Sequence, residues 1–435
     1  MMKVSQLIAV SAVSLGLVAC GSDDDDKDYS YVRVLHASAD APAVDVLIDG
    51  KAVLENVSFQ QGSDYLRVNA GPRDVALRVA GTDTIALQAS LTLAENGRYS
   101  VIAQNQVASL ELEVLDDTSR FNNGTTDVTV VHAAPAAGAV DVYVTAAGAD
   151  LGQATLSAVP FDANASLAEI ASGDYQVRLT GAGASDVVYD SGSLAISTDV
   201  TAVAVASMKG ASPVTLLAWS SSVTPVLDNS AEVRIVHAVD AADVDIYAGG
   251  NKLLDDFSFT NTTDGYVKVA AGNLDVAITG ADSTLQDAFS NLSGTLMLER
   301  GESYTVIAAG DTGALAQARL ITLMDKRMNA SSTDGDIRLV HASSAAAADP
   351  VDIYVYGQGM AQPAEPTFAD VTLGQDTGYT ALPAGTYTVD IAADGTTAPA
   401  IPGTDAIAIS AGSISTAIAV GNGSGLSAIL LNDKR

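Results

Sequence analysis

Residues 32–50 read Val-Arg-Val-Leu-His-Ala-Ser-Ala-Asp-Ala-Pro-Ala-Val-Asp-Val-Leu-Ile-Asp-Gly. In the second half, Val44, Val46 and Ile48 occupy every other position, and this period of two predicts a β-strand. Asp49-Gly50 follows at once and predicts a tight hairpin, because both residues tolerate positive φ. The stretch therefore predicts two short strands joined by a segment of small residues, with a hairpin after the second strand.

The same pattern occurs four times. Residues 32–37 recur as residues 128–133, 233–238 and 337–342, and each copy contains one of the four histidines of the chain. A Val-Asp pair that begins the next strand follows each histidine. The recurrent residues are His36 and Asp45, His132 and Asp141, His237 and Asp245, and His341 and Asp352. Such a period indicates a tandem repeat of one structural unit.

Short strands with frequent turns predict an all-β chain. A unit of about 100 residues suits an immunoglobulin-like antiparallel β-sandwich, and the length of 435 residues suits several such domains. We expect a tandem array of four β-sandwich domains at residues 30–118, 127–222, 231–327 and 335–435. Because a unit of this size can bury a core of its own, we expect separate sandwiches that extend over about 150 Å.

The N-terminus has the features of an export signal. Residues 7–19 form an apolar run that is too short to span a bilayer as a helix. The run ends in Leu17-Val18-Ala19-Cys20, which resembles the lipobox of bacterial lipoproteins, and Cys20 is the only cysteine. The resemblance implies a signal peptide at residues 1–19, lipidation of Cys20 with acyl chains such as palmitate, and an outer-membrane anchor, since Gly21 follows. An ordinary secretory signal is the alternative.

An acidic segment follows the lipobox. Residues 20–29 include four consecutive aspartates and predict a solvated tether between the membrane and the first domain. A calcium-binding loop is the alternative, but the segment lacks the Gly and Glu spacing of such a loop.

The repeats resemble a known bacterial family. Residues 32–50 are similar to the Arg-x-x-His-Ala-Ser-Pro-Asp-Ala-Pro-x-Val-Asp-Val-Tyr pattern of the domain of unknown function family 4397 (DUF4397), with departures at Ala39 and Leu47. The second copy has Thr129 where the pattern has arginine. The resemblance implies a secreted or surface β-sandwich array. It brings no established activity, so no functional residue is transferred.

Composition excludes several functions. The chain has 52 acidic and 21 basic residues, a net charge of −31, which argues against nucleic-acid binding. A single cysteine excludes an intramolecular disulfide framework. Phosphate-binding Gly-Lys loops and dinucleotide fingerprints are absent from the sequence, so we expect no nucleotide cofactor.

The recurrent His and Asp residues are the first candidates for chemistry. A His–Asp pair is part of a catalytic triad, but the sequence has no Gly-x-Ser-x-Gly elbow. One histidine per repeat is also too few for a zinc site. We therefore interpret these residues as structural and expect no catalytic residue and no metal site. Calcium is the open alternative, on the acidic groups Asp40, Asp45 and Asp49 and Asp240, Asp243 and Asp245.

The aromatic residues are few. Most tyrosines recur at equivalent positions of the repeats, which favours packing over ligand contact. Trp219 is the only tryptophan, and we expect it in a core or between domains, with a glycan or protein contact as the alternative.

These features together favour a non-enzymatic cell-envelope lipoprotein whose four domains serve surface binding or adhesion, with an unknown protein or glycan as the ligand. A periplasm-facing structural or assembly component is the second hypothesis. A hydrolase that uses the His–Asp pair is the third.

Overall fold

A computed structural model describes residues 28–121, 126–240, 243–311, 318–329, 331–343, 349–421 and 426–435. The expected signal peptide, Cys20 and nearly all of the acidic tether lie outside these residues. Among the described residues, no helix is long and apolar enough to cross a membrane. In this part of the chain the secondary structure consists of β-strands and a few single 3₁₀ turns, and the strands form eight sheets. The predicted tandem β-sandwich fold is confirmed.

Repeat 1 contains eight strands. They are β1 (Tyr29–His36), β2 (Val44–Ile48), β3 (Lys51–Val57), β4 (Leu66–Asn69), β5 (Gly71–Val79), β6 (Ile85–Leu93), β7 (Arg98–Gln104) and β8 (Glu111–Asp116). The order β4-β1-β7-β8 forms a first sheet that carries His36, and the order β3-β2-β5-β6 forms a second sheet that carries Asp45. The 3₁₀ turns lie at Val107–Ser109 and Thr118–Phe121.

Repeat 2 adds one strand to this plan. Its strands are β9 (Thr126–His132), β10 (Val140–Ala146), β11 (Leu156–Val159), β12 (Asn164–Ile170), β13 (Gly173–Gly181), β14 (Val187–Ile196), β15 (Val200–Ala206), β16 (Val214–Trp219) and β17 (Val223–Val226). The first sheet has the order β12-β9-β15-β16-β17 and the second the order β11-β10-β13-β14. A 3₁₀ turn lies at Pro135–Ala137.

The described residues of repeat 3 form eight strands again. They are β18 (Ser230–Asp240), β19 (Val244–Ala248), β20 (Asn251–Phe257), β21 (Val267–Ala270), β22 (Gly272–Gly280), β23 (Gly294–Leu298), β24 (Ser303–Asp311) and β25 (Arg319–Met324). The first sheet has the order β21-β18-β24-β25 and the second the order β20-β19-β22-β23. The 3₁₀ turns lie at Leu285–Asp287 and Ser290–Leu292.

Repeat 4 has the same plan. Its strands are β26 (Asp334–His341), β27 (Val351–Gly357), β28 (Phe368–Val371), β29 (Thr380–Pro383), β30 (Gly385–Ala393), β31 (Pro399–Ile409), β32 (Ile414–Val420) and β33 (Ser427–Asn432). The first sheet has the order β29-β26-β32-β33 and the second the order β28-β27-β30-β31.

The His-bearing strand has the same neighbours in every repeat. It pairs in parallel with a late strand, as β1 does with β7, β9 with β15, β18 with β24 and β26 with β32. The other pairs are antiparallel. Between the two sheets of each repeat lies an apolar core, which in repeat 1 includes Val32, Val34, Val46 and Leu77. This core corresponds to the inward face of the alternation seen in the sequence.

The outward face of the first sheet is also buried. Leu35 and Ile102 of repeat 1 pack with Val131, Leu217 and Trp219 of repeat 2 in one apolar cluster. A matching cluster joins repeats 3 and 4. Its members include Val236, Ile307 and Ile321 of repeat 3 and Val340, Ile418 and Val420 of repeat 4. The repeats are therefore paired face to face, as module 1/2 and module 3/4.

The expectation of separate, extended sandwiches was wrong. The His-bearing strand carries apolar side chains on both faces, and β1 is buried from Val32 to His36. A strand of this kind needs cover on both sides. Here a second sandwich covers the outer face. The adjacent apolar residues Val-Leu and Ile-Val before the histidines could have indicated this in the sequence.

The two modules meet through polar contacts. Residues 209–212 of repeat 2 lie against repeat 3, where the Ala211 amide donates to the Gly301 carbonyl at 3.1 Å. Gly210 has no room for a side chain, because a Cβ there would overlap Ser303. Arg435 donates to the backbone carbonyls of Gly210 and Ser212. The contacts between the modules are thus more polar than those within each module.

Candidate functional site: the recurrent His, Asp and Arg residues

The histidines of the first two repeats bind their own backbone. His36 is 1% exposed, and its Nε2 lies 3.1 Å from the Pro42 carbonyl, while the Ser38 amide donates to its Nδ1 at 3.3 Å. His132 makes the same contacts with the Gly138 carbonyl, at 2.7 Å, and the Ala134 amide, at 3.3 Å. Since a carbonyl only accepts, Nε2 carries the proton and Nδ1 accepts. Each ring therefore holds the segment that follows its strand.

The histidines of the last two repeats occupy the equivalent buried positions. His237 lies between Phe257 and Phe259, with ring centroids 6.5 Å away in both cases, and accepts from the Val239 amide at 3.4 Å. His341 is 2% exposed at the end of β26.

Burial keeps the first two rings neutral. Desolvation lowers the pKa of His36 and of His132 below the ordinary value of 6.5, and the hydrogen bonds to the Pro42 and Gly138 carbonyls only partly oppose it. Neutral imidazoles also fit the observed acceptor role of Nδ1.

The recurrent aspartates hold a β-bulge. Each Oδ1 accepts from the backbone N–H of a residue with positive φ in or beside the neighbouring edge strand, and in every repeat the ladder register shifts next to the aspartate. The pairs are Asp45 with Asn56 at 2.9 Å, Asp141 with Ala158 at 2.6 Å, Asp245 with Asp256 at 3.0 Å, and Asp352 with Asp370 at 3.2 Å. The φ values of the four donors lie between 47° and 55°. The carboxylate thus pairs an amide that the bulge removes from the ladder.

The second carboxylate oxygen has a partner in every repeat as well. Arg78 binds Asp45 at 2.8 Å and Lys252 binds Asp245 at 2.7 Å. In repeats 2 and 4 the donor is a glycine amide: Gly183 donates to Asp141 at 2.9 Å, and Gly395 donates to Asp352 at 3.0 Å. The backbone hydrogen bonds lower the pKa of Asp45 and Asp141, with Arg78 adding to the effect at Asp45.

His36 and Asp45 therefore have different partners, and so do His132 and Asp141. The histidine binds the loop after the first sheet's strand, whereas the aspartate binds an edge of the second sheet. These hydrogen bonds are not the imidazole–carboxylate contact that a triad requires.

The acidic candidates for calcium are separated in repeat 1. Asp40 accepts from the Val107 amide, Asp45 from Asn56, and Asp49 from Arg73 and the Asp74 amide. Within the described part of the chain, two groups of three carboxylates lie close together: Asp245, Asp255 and Asp256, and Asp352, Asp370 and Asp394. In the first group the Lys252 ammonium lies 2.7 Å from both Asp245 and Asp255. The group that was expected around Asp245 from the sequence contained Asp240 and Asp243 instead.

One extensive polar network was not anticipated from the sequence. It surrounds the arginine three positions before each histidine, which is 2–3% exposed in repeats 1, 3 and 4. A tyrosine ring lies against each guanidinium, with Cζ-to-centroid distances of 4.6–4.8 Å, in the pairs Arg33 with Tyr65, Arg234 with Tyr266 and Arg338 with Tyr379. Each of these tyrosines donates to a buried aspartate: Tyr65 to Asp117, Tyr266 to Asp325 and Tyr379 to Asp433, at 2.7–2.8 Å. Burial raises the pKa of all three hydroxyls, so they remain donors.

In module 3/4 the arginines are exchanged between repeats. Arg234 of repeat 3 binds Asp433 of repeat 4 at 2.5 Å and the Asn432 carbonyl at 3.0 Å. Arg338 of repeat 4 binds Asp325 of repeat 3 and the Met324 carbonyl at 3.0 Å. The contact is reciprocal, which is the property of an interface related by a twofold axis. The Asp-Lys-Arg sequences at residues 325–327 and 433–435 supply its acidic side.

In module 1/2 the contact is one-sided. Arg33 reaches repeat 2, where it donates to Thr201 at 2.9 Å and to the Trp219 and Ser220 carbonyls at 3.4 and 2.5 Å. Its guanidinium also lies 4.1 Å from the ring centroid of Trp219, which is fully buried. Repeat 2 has Thr129 at the arginine position, so no reciprocal arginine returns to repeat 1. Trp219 is thus an interdomain residue, as expected, and its ring and backbone carbonyl contact the Arg33 guanidinium.

A signal for this network was present in the sequence. The arginine is part of the recurrent pattern, and the late Asp-Lys-Arg sequence recurs in repeats 3 and 4. Along the chain, however, Arg234 and Asp433 lie 199 residues apart and Arg338 and Asp325 lie 13 residues apart. Only the face-to-face packing shows that each arginine binds the aspartate of the other repeat.

The fold and this network define a tandem β-sandwich protein whose repeats pair through their His-bearing sheets. The chain belongs to the family described as "Domain of unknown function (DUF4397)", whose model matches residues 30–143, 231–354 and 345–435. No curated protein matches the chain. Among solved structures, it is similar to "The Bacillus anthracis TIE protein", with 12% identity over 91% of this chain and 68% of that chain and a TM-score of 0.15.

Proposed function

We propose that this protein is a non-enzymatic lipoprotein of the bacterial cell envelope that presents two rigid modules of paired β-sandwiches for binding a protein or glycan. The observation that carries the proposal is the use of the recurrent polar residues. His36 binds backbone, Asp45 binds a bulge and Arg33 binds the neighbouring repeat. Their recurrence therefore has a structural explanation and needs no repeated active site.

The sequence supports the location. Cys20 in the lipobox would carry the lipid anchor, and Gly21 favours the outer membrane. Several acyl chains give stable anchoring at about 0.8 kcal/mol per buried CH₂. The net charge of −31 keeps the modules soluble and away from anionic surfaces.

Two measurements test the anchor and the location. Metabolic labelling with a palmitate analogue should mark the wild-type chain and leave a Cys20→Ala variant unlabelled; equal labelling of both would refute the anchor.

For the location, Met360→Cys provides an exposed thiol, since Met360 is 70% exposed, and Ile418→Cys provides a buried control. A membrane-impermeant maleimide should label Met360→Cys on intact cells.

Labelling of Met360→Cys only after the outer membrane has been permeabilised would contradict surface exposure. It would favour the second hypothesis, a periplasm-facing structural or assembly component. Labelling of Ile418→Cys would indicate unfolded protein in that sample.

A further inference from the structure

Strand β6 is an open edge of the second sheet in repeat 1. It pairs with β5 from Gly71↔Leu93 to Arg78↔Ile85 with a single register shift, and the sheet ends there. Its side chains alternate in exposure from Ala86 to Leu93, and Ile85 before them is exposed as well. The exposed set is Ala86, Gln88, Ser90 and Thr92, and the half-buried set is Leu87, Ala89 and Leu91.

Natural sheets protect such edges with charges, prolines, bulges or short length. The equivalent edges of the other repeats follow this rule. Strand β14 carries Asp190 and a positive-φ glycine, Gly192; β23 has only five residues; and β31 contains two prolines and three register shifts. Strand β6 has neither a charged residue nor a proline over its nine residues. The one register shift of β6 lies at its first residues, opposite Leu77 and Arg78 of β5, and the rest of the strand is the least protected of the four equivalent edges.

The edge is also incomplete on its inner face. Leu87 and Leu91 pack against the core of repeat 1 but remain half-buried. A further strand beside β6 would cover both leucines and would satisfy the outward backbone groups of β6.

We propose that β6 is a dimerisation strand, and that its partner is β6 of a second copy of this chain, paired antiparallel about Ala89. In this register Leu87 lies opposite Leu91 of the second copy, and Gln88 lies opposite its Ser90. The outer row of one strand therefore meets small or uncharged side chains of the other. This interface is isologous, so it closes as a dimer.

Charge argues for this strand as the contact between copies. The chain carries a net charge of −31, and like charges on opposed strands destabilise a sheet. An edge such as β8, with Glu111, Glu113 and Asp116, would bring carboxylates together in a symmetric pair. Strand β6 brings none together.

Sedimentation equilibrium of the chain from residue 21 onward, which contains every described residue, tests the proposal. We expect a concentration-dependent dimer. Gln88→Lys with Thr92→Lys places charges on exposed positions of β6 and should weaken the dimer about tenfold or more, since several like-charge contacts together reach about 1.4 kcal/mol. The matched control is Ser193→Lys with Ala195→Lys on the exposed face of β14, which should leave the dimer unchanged.

A protein that stays monomeric at every concentration up to about 1 mM would overturn the proposal. A dimer that the β6 lysines do not weaken would overturn it as well. Cysteine pairing gives a test that does not depend on those variants. Because the chain from residue 21 has no cysteine, a mixture of Gln88→Cys and Ser90→Cys chains should form the mixed disulfide in preference to either homodimer. A random distribution of the three products would refute the register.

Discussion

At the scale of single residues, the polar side chains that recur in each repeat form hydrogen bonds within the fold, as those of His36 and Asp45 show. Both ring nitrogens of the buried His36 are hydrogen-bonded, Nε2 to the Pro42 carbonyl and Nδ1 to the Ser38 amide. Neither nitrogen is therefore left buried without a partner. The interpretation of the histidine and aspartate as structural followed from their number and from the missing nucleophile motif. Most of their partners are backbone groups, which a sequence pattern does not reveal; Arg78 and Lys252 are the side-chain partners, of Asp45 and Asp245.

The buried histidines predict a pH dependence of stability. Because burial lowers the pKa of His36 and His132, the unfolded chain binds more protons than the folded chain once the pH falls below about 6.5. The free energy of unfolding should therefore decrease between pH 7 and pH 5.5. In the double variant His36→Gln and His132→Gln, which retains neutral side chains, urea denaturation should show a smaller decrease.

The carboxyls with lowered pKa do not contribute in this pH range, because their stabilisation is lost only as the pH falls below their ordinary pKa of about 3.9. An identical pH dependence in the wild type and the double variant would contradict the assignment of neutral, buried rings.

At the scale of strands, the bulge beside each recurrent aspartate recurs with different residues at its positive-φ position. Asn56, Asp256 and Asp370 are residue types that tolerate the left-handed region, but repeat 2 places Ala158 there. The Val-Asp pattern and the period of two predicted the strands correctly. The bulges were not predicted, because the edge strands that contain them differ in sequence and length.

Ala158→Gly is therefore expected to stabilise the protein by roughly 1 kcal/mol, since glycine adopts φ of about +50° without the steric cost of Cβ. Asn56→Gly is the matched control in repeat 1, where we expect a smaller gain because asparagine already tolerates this conformation. Chemical denaturation of both variants checks the prediction. A destabilised Ala158→Gly protein would contradict a strained backbone at this bulge.

The exchanged arginines predict a second effect at the level of paired strands. Arg338→Met leaves the carboxylate of Asp325, which is fully buried, without one of its two cationic partners, and breaking a buried pair costs about 3–5 kcal/mol. We expect a loss of this size in urea denaturation. Arg73→Met, which removes the partly exposed pair with Asp49, should change stability far less. Equal effects of the two variants would contradict the role of the network.

At the scale of the whole molecule, the repeat number and the sandwich fold could be read from the sequence, and the arrangement of the repeats could not. The size of one repeat suggested an independent domain, yet Leu35 and Val236 lie on outward faces that a second repeat covers. The relevant contacts join residues such as Arg234 and Asp433 that lie far apart in the chain. A periodicity within one strand shows that both faces are apolar but does not identify which repeat covers the outer one.

Trp219 allows the face-to-face pairing to be measured without a label. It is the only tryptophan, it is fully buried, and it packs in the cluster shared by repeats 1 and 2 rather than in the core of repeat 2. The measurement is acrylamide quenching of its fluorescence in the native chain from residue 21 and in a Leu35→Lys variant, which places a charge in the interface. The pairing predicts blue-shifted, weakly quenched emission in the native chain and a red shift with stronger quenching in the variant. Native emission as exposed as that of the urea-unfolded chain would contradict the paired arrangement.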